Sequence, residues 1–255
     1  MFIPVVSSTV LPSLELPPDE VHIWHAALDT GAAVLQSLEE TLAPDEKDRA
    51  ERFVFKRQRD RFITARGILR ELLAAYLHCS PVTFEFNYGP HGKPALRTQD
   101  PKMRLCFNLS HSQSHALYAF AYRREVGIDL ELIRADFGGQ EIAERFFSPR
   151  EFAELRALPA KVRPEGFFNC WTRKEAYLKA RGDGFHTPLD SFSVSLRPGE
   201  QAVLNSPDCS RWSLHSFQTA QRFIAAVVVE GRDCHLRHFE RRLPSPTTVL
   251  PTSQL

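Results

Sequence analysis

The sequence lacks the features that would define several protein classes at once. Its cysteines are five in number, scattered, and never in a C-x-x-C pair, which argues against both a disulfide framework and a zinc site. It also lacks a charge surplus, because 32 Lys and Arg stand against 31 Asp and Glu, so no global field draws it to nucleic acid or lipid. No apolar run reaches the roughly 20 residues that a membrane helix needs. We therefore expect a cytoplasmic protein with no nucleic-acid or membrane partner, in which any anion site is local.

The composition that remains is that of an ordinary globular protein, with 43% hydrophobic and 25% charged residues among 255. Residues 1–20 contain several prolines and no basic start, which predicts an extended lead-in rather than a signal peptide. Residues 243–255 are uncharged and contain proline, which predicts a flexible tail. We expect neither end to carry the chemistry.

The central part of the chain predicts an α+β fold. Amphipathic periodicity predicts long helices over residues 57–78 and 165–181. Period-two patterns predict strands that include 82–88, 104–109, 116–122 and 126–132. We expect the last two of these to pair as an antiparallel hairpin, because only a short charged turn joins them.

A short repeat suggests how the chain is organised. Glu51–Phe53 reads Glu-Arg-Phe, as does Glu144–Phe146, and in both places a long helix and then strands follow. We interpret this as a trace of internal duplication, with a chance tripeptide as the alternative. The prediction is a pseudo-dimer of two similar α/β halves, 21–122 and 123–242, each a small, mainly antiparallel sheet packed with a long helix.

The strand predicted at 126–132 carries an unusual pair of acidic residues. Period-two alternation places Asp129 and Glu131 on one face together with Gly127, and the apolar residues on the other. Neighbouring like charges repel, and a residue without a side chain leaves room beside them. A divalent cation would explain all three residues. A solvent-facing edge strand is the alternative.

A third carboxylate stands in the helix predicted at 165–181. Glu175 falls within the apolar stripe of that helix rather than opposite it. Because a buried unpaired charge is costly, Glu175 should face a cation or a metal, unless it only forms an i,i+4 pair with Lys179. Three carboxylates make an oxygen-only site suited to Mg²⁺, which commonly binds phosphate oxygens as well. A phosphate-bearing ligand is therefore expected.

Together these residues resemble a known family. Gly127–Glu131 and Trp171–Lys179 resemble, in content and spacing, the 4′-phosphopantetheinyl transferases of the larger, broad-specificity, surfactin-synthetase-activating-like type. Gly92–Pro94 and Asn108–His111 precede them in the expected order. The resemblance implies transfer of the 4′-phosphopantetheine arm of coenzyme A to a serine of an apo acyl or peptidyl carrier protein. It also implies release of adenosine 3′,5′-bisphosphate, a monomer, and a place in fatty acid, polyketide or nonribosomal peptide synthesis.

The resemblance also implies roles for individual residues. Asp129, Glu131 and Glu175 would hold Mg²⁺ against the pyrophosphate of coenzyme A. Glu175 would be the general base, directly or through a water, because its apolar surroundings would raise its pKa. Lys179 would stabilise or protonate the leaving phosphate. Lys174 would be a secondary catalytic candidate at the edge of the site.

Further residues would bind coenzyme A itself. His111 and Lys179 would contact the pyrophosphate, with Ser110 and Lys93 nearby in the nucleotide site. The 3′-phosphate would bind in the segment of residues 46–57, for which we select Arg49 and Arg52. In this segment Glu46 departs from the family pattern, in which the position is basic.

Two other functions are compatible with parts of this pattern. Metal-dependent nucleases also use acidic residues, Mg²⁺ and a lysine, but they commonly place a Glu-x-Lys beside the first Asp, and Glu131 is not followed by such a lysine. A non-catalytic protein that binds a nucleotide, or docks a partner through the basic residues of 56–70, would require no role for Asp129 or Glu131.

Overall fold

The computed structural model of the chain describes residues 5–6, 11–89, 92–97, 104–134, 139–182, 187–219 and 222–243. Its helices are α1 (Ala32–Glu40), α2 (Pro44–Glu51), α3 (Lys56–Leu77), α4 (Gln140–Phe146), α5 (Pro149–Ala157) and α6 (Arg163–Arg181). Its strands are β1 (Val5–Val6), β2 (Glu20–Ala27), β3 (Phe86–Tyr88), β4 (Pro94–Leu96), β5 (Leu105–Ser112), β6 (His115–Tyr122), β7 (Val126–Leu132), β8 (Ser193–Val194), β9 (Leu204–Asn205), β10 (Trp212–Gln218), β11 (Phe223–Glu230) and β12 (His235–Arg241). Helices and mainly antiparallel sheets confirm the predicted α+β class. Within the described ranges, no helix is both long and apolar enough to cross a bilayer.

The chain forms two compact units. The first unit comprises residues 1–14, 26–84 and 240–255, and the second unit comprises residues 15–25 and 85–239. The division into halves at 21–122 and 123–242 stays a prediction. Of the predicted lead-in and tail, residues 1–4, 7–10 and 244–255 lie outside the described residues.

The first unit is built around α1, α2 and α3. Helix α2 begins at a proline and α3 ends at His78 in the left-handed conformation. Glu46 is buried, and its carboxylate lies 3.2 Å from Arg66 Nε and 2.6 Å from Arg70 Nε. The basic residues of α3 are therefore not all on a solvated face, because two of them neutralise Glu46 inside the unit.

The second unit has three layers. In one sheet β12, β2, β6 and β5 follow one another, and β10, β11 and β7 form a second sheet. The apolar layer between the sheets includes Ile23, Ala119, Ile128 and Val227. Helix α6 packs on the opposite face of the second sheet, where a separate core includes residues of α6 and β11. Strand β11 is apolar at nearly every position because both of its faces are buried.

The predicted hairpin between residues 116–122 and 126–132 is wrong. Strand β6 pairs with β5, whose Ser112 lies opposite His115, and β7 pairs with β11 in the other sheet. The chain changes sheets at residues 123–125, where Arg123 adopts the left-handed conformation and the Glu125 carbonyl accepts the Glu230 N–H. Because β6 already has β5 and β2 as neighbours, no edge of β6 is left for β7.

Helix ends follow the sequence closely where capping residues are present. Ser148 and Glu151 form a capping box at the start of α5, and Gly182 ends α6 with a φ of 78°. Elsewhere the predicted bounds shift. Strand β3 begins only at Phe86, because residues 81–83 form a 3₁₀ turn, and β5 continues to Ser112. The extension of β5 carries polar residues into the functional site.

Candidate active site

The site forms where β5 meets β7, and side chains rather than backbone groups join the two strands. The Asn108 Oδ1 and the hydroxyls of Ser110 and Ser112 accept the N–H groups of Ile128, Leu130 and Leu132, each twenty residues further along the chain, at 2.8, 3.3 and 3.3 Å. These three side chains of β5 are called the polar rail below. Since β7 is an edge strand of its sheet, the polar rail satisfies backbone donors that no neighbouring strand reaches.

The polar rail also holds the two acidic residues of β7. The Ser110 hydroxyl donates to Asp129 Oδ1 at 2.9 Å, and the Ser112 hydroxyl donates to Glu131 Oε2 at 3.0 Å. Lys179 reaches the same place from α6, and its ammonium lies 2.6 Å from Asp129 Oδ1 and 3.2 Å from the Ser110 hydroxyl. The structure therefore brings together a serine, an aspartate and a lysine from three different elements.

Burial and mutual repulsion act on the carboxylates of this group. Burial, followed by the charge of Asp129, raises the pKa of Glu131. The same two causes, in the same order, raise the pKa of Glu175 to about 7, against the opposing effect of Lys179. Glu175 therefore does not rest in a plain i,i+4 pair with Lys179, because the ammonium of Lys179 is bonded to Asp129.

Two carboxylate oxygens of the group lack a hydrogen-bond donor. Within the described residues, Asp129 Oδ2 and Glu175 Oε1 are both buried and accept no hydrogen bond. Buried carboxylate oxygens without a donor are costly, and a hard divalent cation is the partner that such oxygens prefer. Within the described residues, no group of three or more acidic, histidine or cysteine side chains is placed so that it could hold a metal ion as it stands. Asp129, Glu131 and Glu175 fit Mg²⁺ by donor chemistry and by the unsatisfied oxygens of two of them, not by a preformed arrangement.

Gly127 has a different role from the one that the sequence indicated. A Cβ at this position would lie 2.2 Å from both the Ala176 carbonyl oxygen and the Ala180 nitrogen of α6. The space beside the acidic residues is therefore filled by the backbone of α6. This close approach brings Glu175 and Lys179 to the strand that carries Asp129.

The resemblance implied that Lys93 and His111 lie in the coenzyme A site. The structure places the two side chains in different surroundings. The Lys93 ammonium donates to the backbone carbonyl of Lys179 at 2.7 Å and to that of Val126 at 3.2 Å, and burial lowers its pKa to about 8. Lys93 thereby joins the last turn of α6 to the start of β7. His111 is exposed on β5. That either residue contacts coenzyme A stays a prediction.

Lys174 is not at the edge of the acidic group. Its side chain is fully buried, 2.8 Å from a Glu151 carboxylate oxygen and 2.7 Å from the carbonyl oxygens of Leu189 and Phe192. All of its donors are thus directed at groups of the protein interior. The resemblance implied that Lys174 is a secondary catalytic candidate at the edge of the site. Successive helix residues point about 100° apart, so Lys174 and Glu175 face different surroundings.

The arginines selected for the 3′-phosphate lie in the first unit. Arg49 belongs to α2, where its guanidinium lies 5.3 Å from the centre of the Phe62 ring, and Arg52 follows the end of that helix. Both side chains are exposed. Their role in binding phosphate stays a prediction.

Two members of the polar rail, Asn108 and Ser112, were not among the predicted site residues. The signal was present in the sequence, since small polar residues recur with period two at 108, 110 and 112, although His111 interrupts the apolar residues between them. Because the strand was predicted to end at Leu109, Ser112 was assigned to a loop. In a loop, a spacing of two residues does not place Ser110 and Ser112 on the same face.

Comparison with known proteins covers most of the chain. Residues 26–122 match the family described as 4′-phosphopantetheinyl transferase, N-terminal, and residues 125–228 match the 4′-phosphopantetheinyl transferase superfamily. The chain is 44% identical over 220 residues to the 4′-phosphopantetheinyl transferase HetI of Nostoc sp., an alignment that covers 86% of this chain and 92% of HetI. It is 29% identical over 167 residues to the 4′-phosphopantetheinyl transferase Sfp of Bacillus subtilis, covering 66% of this chain and 72% of Sfp. Among solved structures, the holo-[acyl-carrier-protein] synthase of Thermotoga maritima is 25% identical, with a TM-score of 0.34 over 42% of this chain and 63% of that chain.

Proposed function

The chain belongs to the 4′-phosphopantetheinyl transferase superfamily and is an enzyme of the holo-carrier-protein synthase type, which moves phosphopantetheine from coenzyme A to a carrier protein; from this premise we propose its metal, its residues and its products. The reaction depends on Mg²⁺ and releases adenosine 3′,5′-bisphosphate. The acceptor is a serine of an apo acyl or peptidyl carrier protein. The observation that carries the proposal is that α6 brings Glu175 and Lys179 onto the strand of Asp129 and Glu131, with two carboxylate oxygens buried and unsatisfied.

Asp129, Glu131 and Glu175 are the residues that would hold the metal. When bound, Mg²⁺ would neutralise charge on the pyrophosphate of coenzyme A, which is the main requirement of phosphoryl transfer. The polar rail and Lys179 orient the carboxylates for this purpose, since Ser110, Ser112 and Lys179 each bind a carboxylate oxygen. The Lys179 ammonium and the His111 ring are the groups proposed to contact the pyrophosphate.

Glu175 is the proposed general base and Lys179 the group that assists departure. The carrier serine oxygen forms a bond to the β-phosphorus of coenzyme A, and the bond from that phosphorus to the bridging oxygen breaks. The bridging oxygen leaves with the electron pair as part of adenosine 3′,5′-bisphosphate, where Lys179 stabilises or protonates it. The serine proton passes to Glu175, directly or through a water. In the metal-free chain, burial and then the charge of Asp129 raise the pKa of Glu175 to about 7, which is within the range of a general base near neutral pH.

The proposal extends to the state of the protein and its partners. A monomer is expected, because both matched family regions lie in one chain. The expected location is the cytoplasm, since the scattered cysteines suit a reducing compartment. The carriers served would belong to fatty acid, polyketide or nonribosomal peptide synthesis. Assaying a panel of apo carriers from the three systems would distinguish among them, and light scattering would measure the mass in solution.

Transfer is tested by incubating the protein with coenzyme A, Mg²⁺ and apo carriers, and measuring the intact mass of each carrier. We expect the carrier to gain one phosphopantetheine group, and to gain none when a chelator replaces Mg²⁺. Asp129→Asn and Glu175→Gln should each slow transfer by about 100-fold or more. The first removes the charge of a proposed metal ligand, and the second removes the charge of the proposed base. Asp190→Asn, at an exposed acidic residue, is the matched control and should transfer at the normal rate. Transfer at full rate by both site variants would contradict the assigned residues.

A further inference from the structure

We propose that Ser112 is a positioning residue that orients Glu131 for metal binding and thereby sets the affinity of the site for its divalent cation. This inference rests on the proposed function, and it concerns a residue outside the predicted metal and coenzyme A ligands. Ser112 is argued to act through Glu131 and not by touching the reacting atoms.

The first observation is the pair of hydrogen bonds that the Ser112 hydroxyl makes. It accepts the Leu132 N–H at 3.3 Å and donates to Glu131 Oε2 at 3.0 Å. The backbone bond fixes the hydroxyl oxygen, which directs its single proton toward the carboxylate. A hydroxyl held in this way specifies the orientation of its acceptor, because a serine has only one proton to donate.

The second observation is that the same arrangement recurs one step along the strands. The Ser110 hydroxyl accepts the Leu130 N–H at 3.3 Å and donates to Asp129 Oδ1 at 2.9 Å. Each acidic residue of β7 is therefore served by the serine opposite it on β5, at the same separation in sequence. Within the described part of the chain, the side chain of Asn108, the third member of the polar rail, binds only the Ile128 N–H, and residue 127 has no side chain to receive a bond.

The repulsion within the group gives this bond its importance. Asp129 has both Ser110 and Lys179 as hydrogen-bond partners. Glu131 is half-buried beside the like charge of Asp129, which the charges of Lys179 and Arg134 and the hydrogen bond from Ser112 oppose. Without the Ser112 hydroxyl as a donor to Oε2, the Glu131 side chain, which is one methylene longer than that of Asp129, would rotate away from Asp129 toward solvent. Hydrogen bonds to metal-binding carboxylates commonly change metal affinity by about 10-fold to 100-fold when they are lost.

The test measures metal binding directly, with Mn²⁺ as a paramagnetic probe titrated in the presence of coenzyme A. Four full-length proteins are compared: the natural chain, Ser112→Ala, Ser112→Thr and Ser213→Ala. Ser213, near the start of β10, is the matched control. It is also a half-buried strand serine, but its hydroxyl donates to the Gly231 carbonyl and not to a carboxylate. Urea unfolding verifies that each variant is folded.

We expect Ser112→Ala to bind Mn²⁺ about 10-fold more weakly, and Ser112→Thr, which keeps the hydroxyl, to restore binding to within about 3-fold. Ser213→Ala should bind normally. The Mg²⁺ concentration that gives half-maximal transfer should rise in parallel for Ser112→Ala, while transfer at saturating Mg²⁺ changes little. If Ser112→Ala does not fold, Ser112→Cys replaces it, and its weak S–H donor should still lower the affinity.

Normal Mn²⁺ affinity in Ser112→Ala, or equal weakening in the Ala and Thr variants, would overturn the positioning role. Absence of both Mn²⁺ binding and transfer in the natural chain is a different result, which would overturn the proposed function itself. A general loss of stability without a change in metal affinity would reduce Ser112 to a backbone partner of Leu132.

Discussion

Two lysines of α6 show how position within one helix decides the role of a residue. Lys179 meets Asp129 at the site, whereas Lys174 is enclosed by Glu151 and two backbone carbonyls. The Glu151 carboxylate also accepts hydrogen bonds from the Ser148 and Val194 N–H groups. Lys174 therefore neutralises a carboxylate that joins α5, α6 and β8, and we expect its role to be structural.

Lys174→Met tests this role. The change leaves Glu151 buried without its cation, so we expect the free energy of unfolding to fall by about 3–5 kcal/mol. Denaturant unfolding followed by tryptophan fluorescence measures the loss. Lys161→Met, at an exposed lysine, is the control and should change stability by no more than about 0.5 kcal/mol. Normal stability combined with lost transfer would instead assign Lys174 to catalysis.

At the scale of elements, the site depends on the distance between β7 and α6. Gly127 permits the two backbones to approach, Lys93 joins the end of α6 to the start of β7, and the polar rail holds β7 from its other edge. Tyr177 and Trp212 both donate to Asp208, which connects α6 to the start of β10. The positions of the proposed catalytic groups thus follow from backbone packing before any side-chain rotation is considered.

Gly127→Ala tests the packing of these elements. Its Cβ would meet backbone atoms, which cannot move aside as a flexible side chain would, so we expect a loss of about 3 kcal/mol or more. Transfer should fall with it, because α6 would shift relative to Asp129. Gly89→Ala is the comparison, since a Cβ there would find its nearest contact at 3.7 Å. Calorimetric melting and the carrier mass assay measure the two effects, and an unchanged melting temperature in Gly127→Ala would contradict the packing argument.

At the scale of the whole molecule, half-buried histidines make stability depend on pH. His25 of β2 and His238 of β12 share a hydrogen bond of 3.0 Å next to the Phe217 ring. Burial, together with the charges of His238 and His115, lowers the pKa of His25 to about 4. The folded chain keeps this ring neutral at pH values where the unfolded chain protonates it.

The sign of the effect follows from proton binding. Between pH 6.5 and about 4 the unfolded state binds more protons at His25, so the stabilisation present above pH 6.5 is lost as the pH falls. Between pH 7.5 and 5 this loss amounts to at most about 2 kcal/mol for His25. In His25→Leu the difference in unfolding free energy between the two pH values should shrink by about that amount. His235→Leu, at an exposed histidine, should keep the full difference, and a full difference in His25→Leu would contradict the assignment.

The sequence by itself determined most of the helices and strands, and it proposed the residues of the candidate site. Alternation placed Asp129 and Glu131 on one face of β7, and helical periodicity placed Glu175 and Lys179 in α6, because these patterns depend only on local backbone geometry. Capping residues determined the start of α5 and the end of α6 for the same reason. The family motifs then connected those residues to phosphopantetheine transfer.

Only the tertiary structure decided which elements are neighbours. It paired β7 with β11 instead of β6, filled the space at Gly127 with α6, and enclosed Lys174 in the interior. It also placed Ser112 opposite Glu131, a contact between residues 19 apart in sequence. Such contacts depend on how whole strands and helices share their faces and edges, and no local pattern of residues specifies that choice.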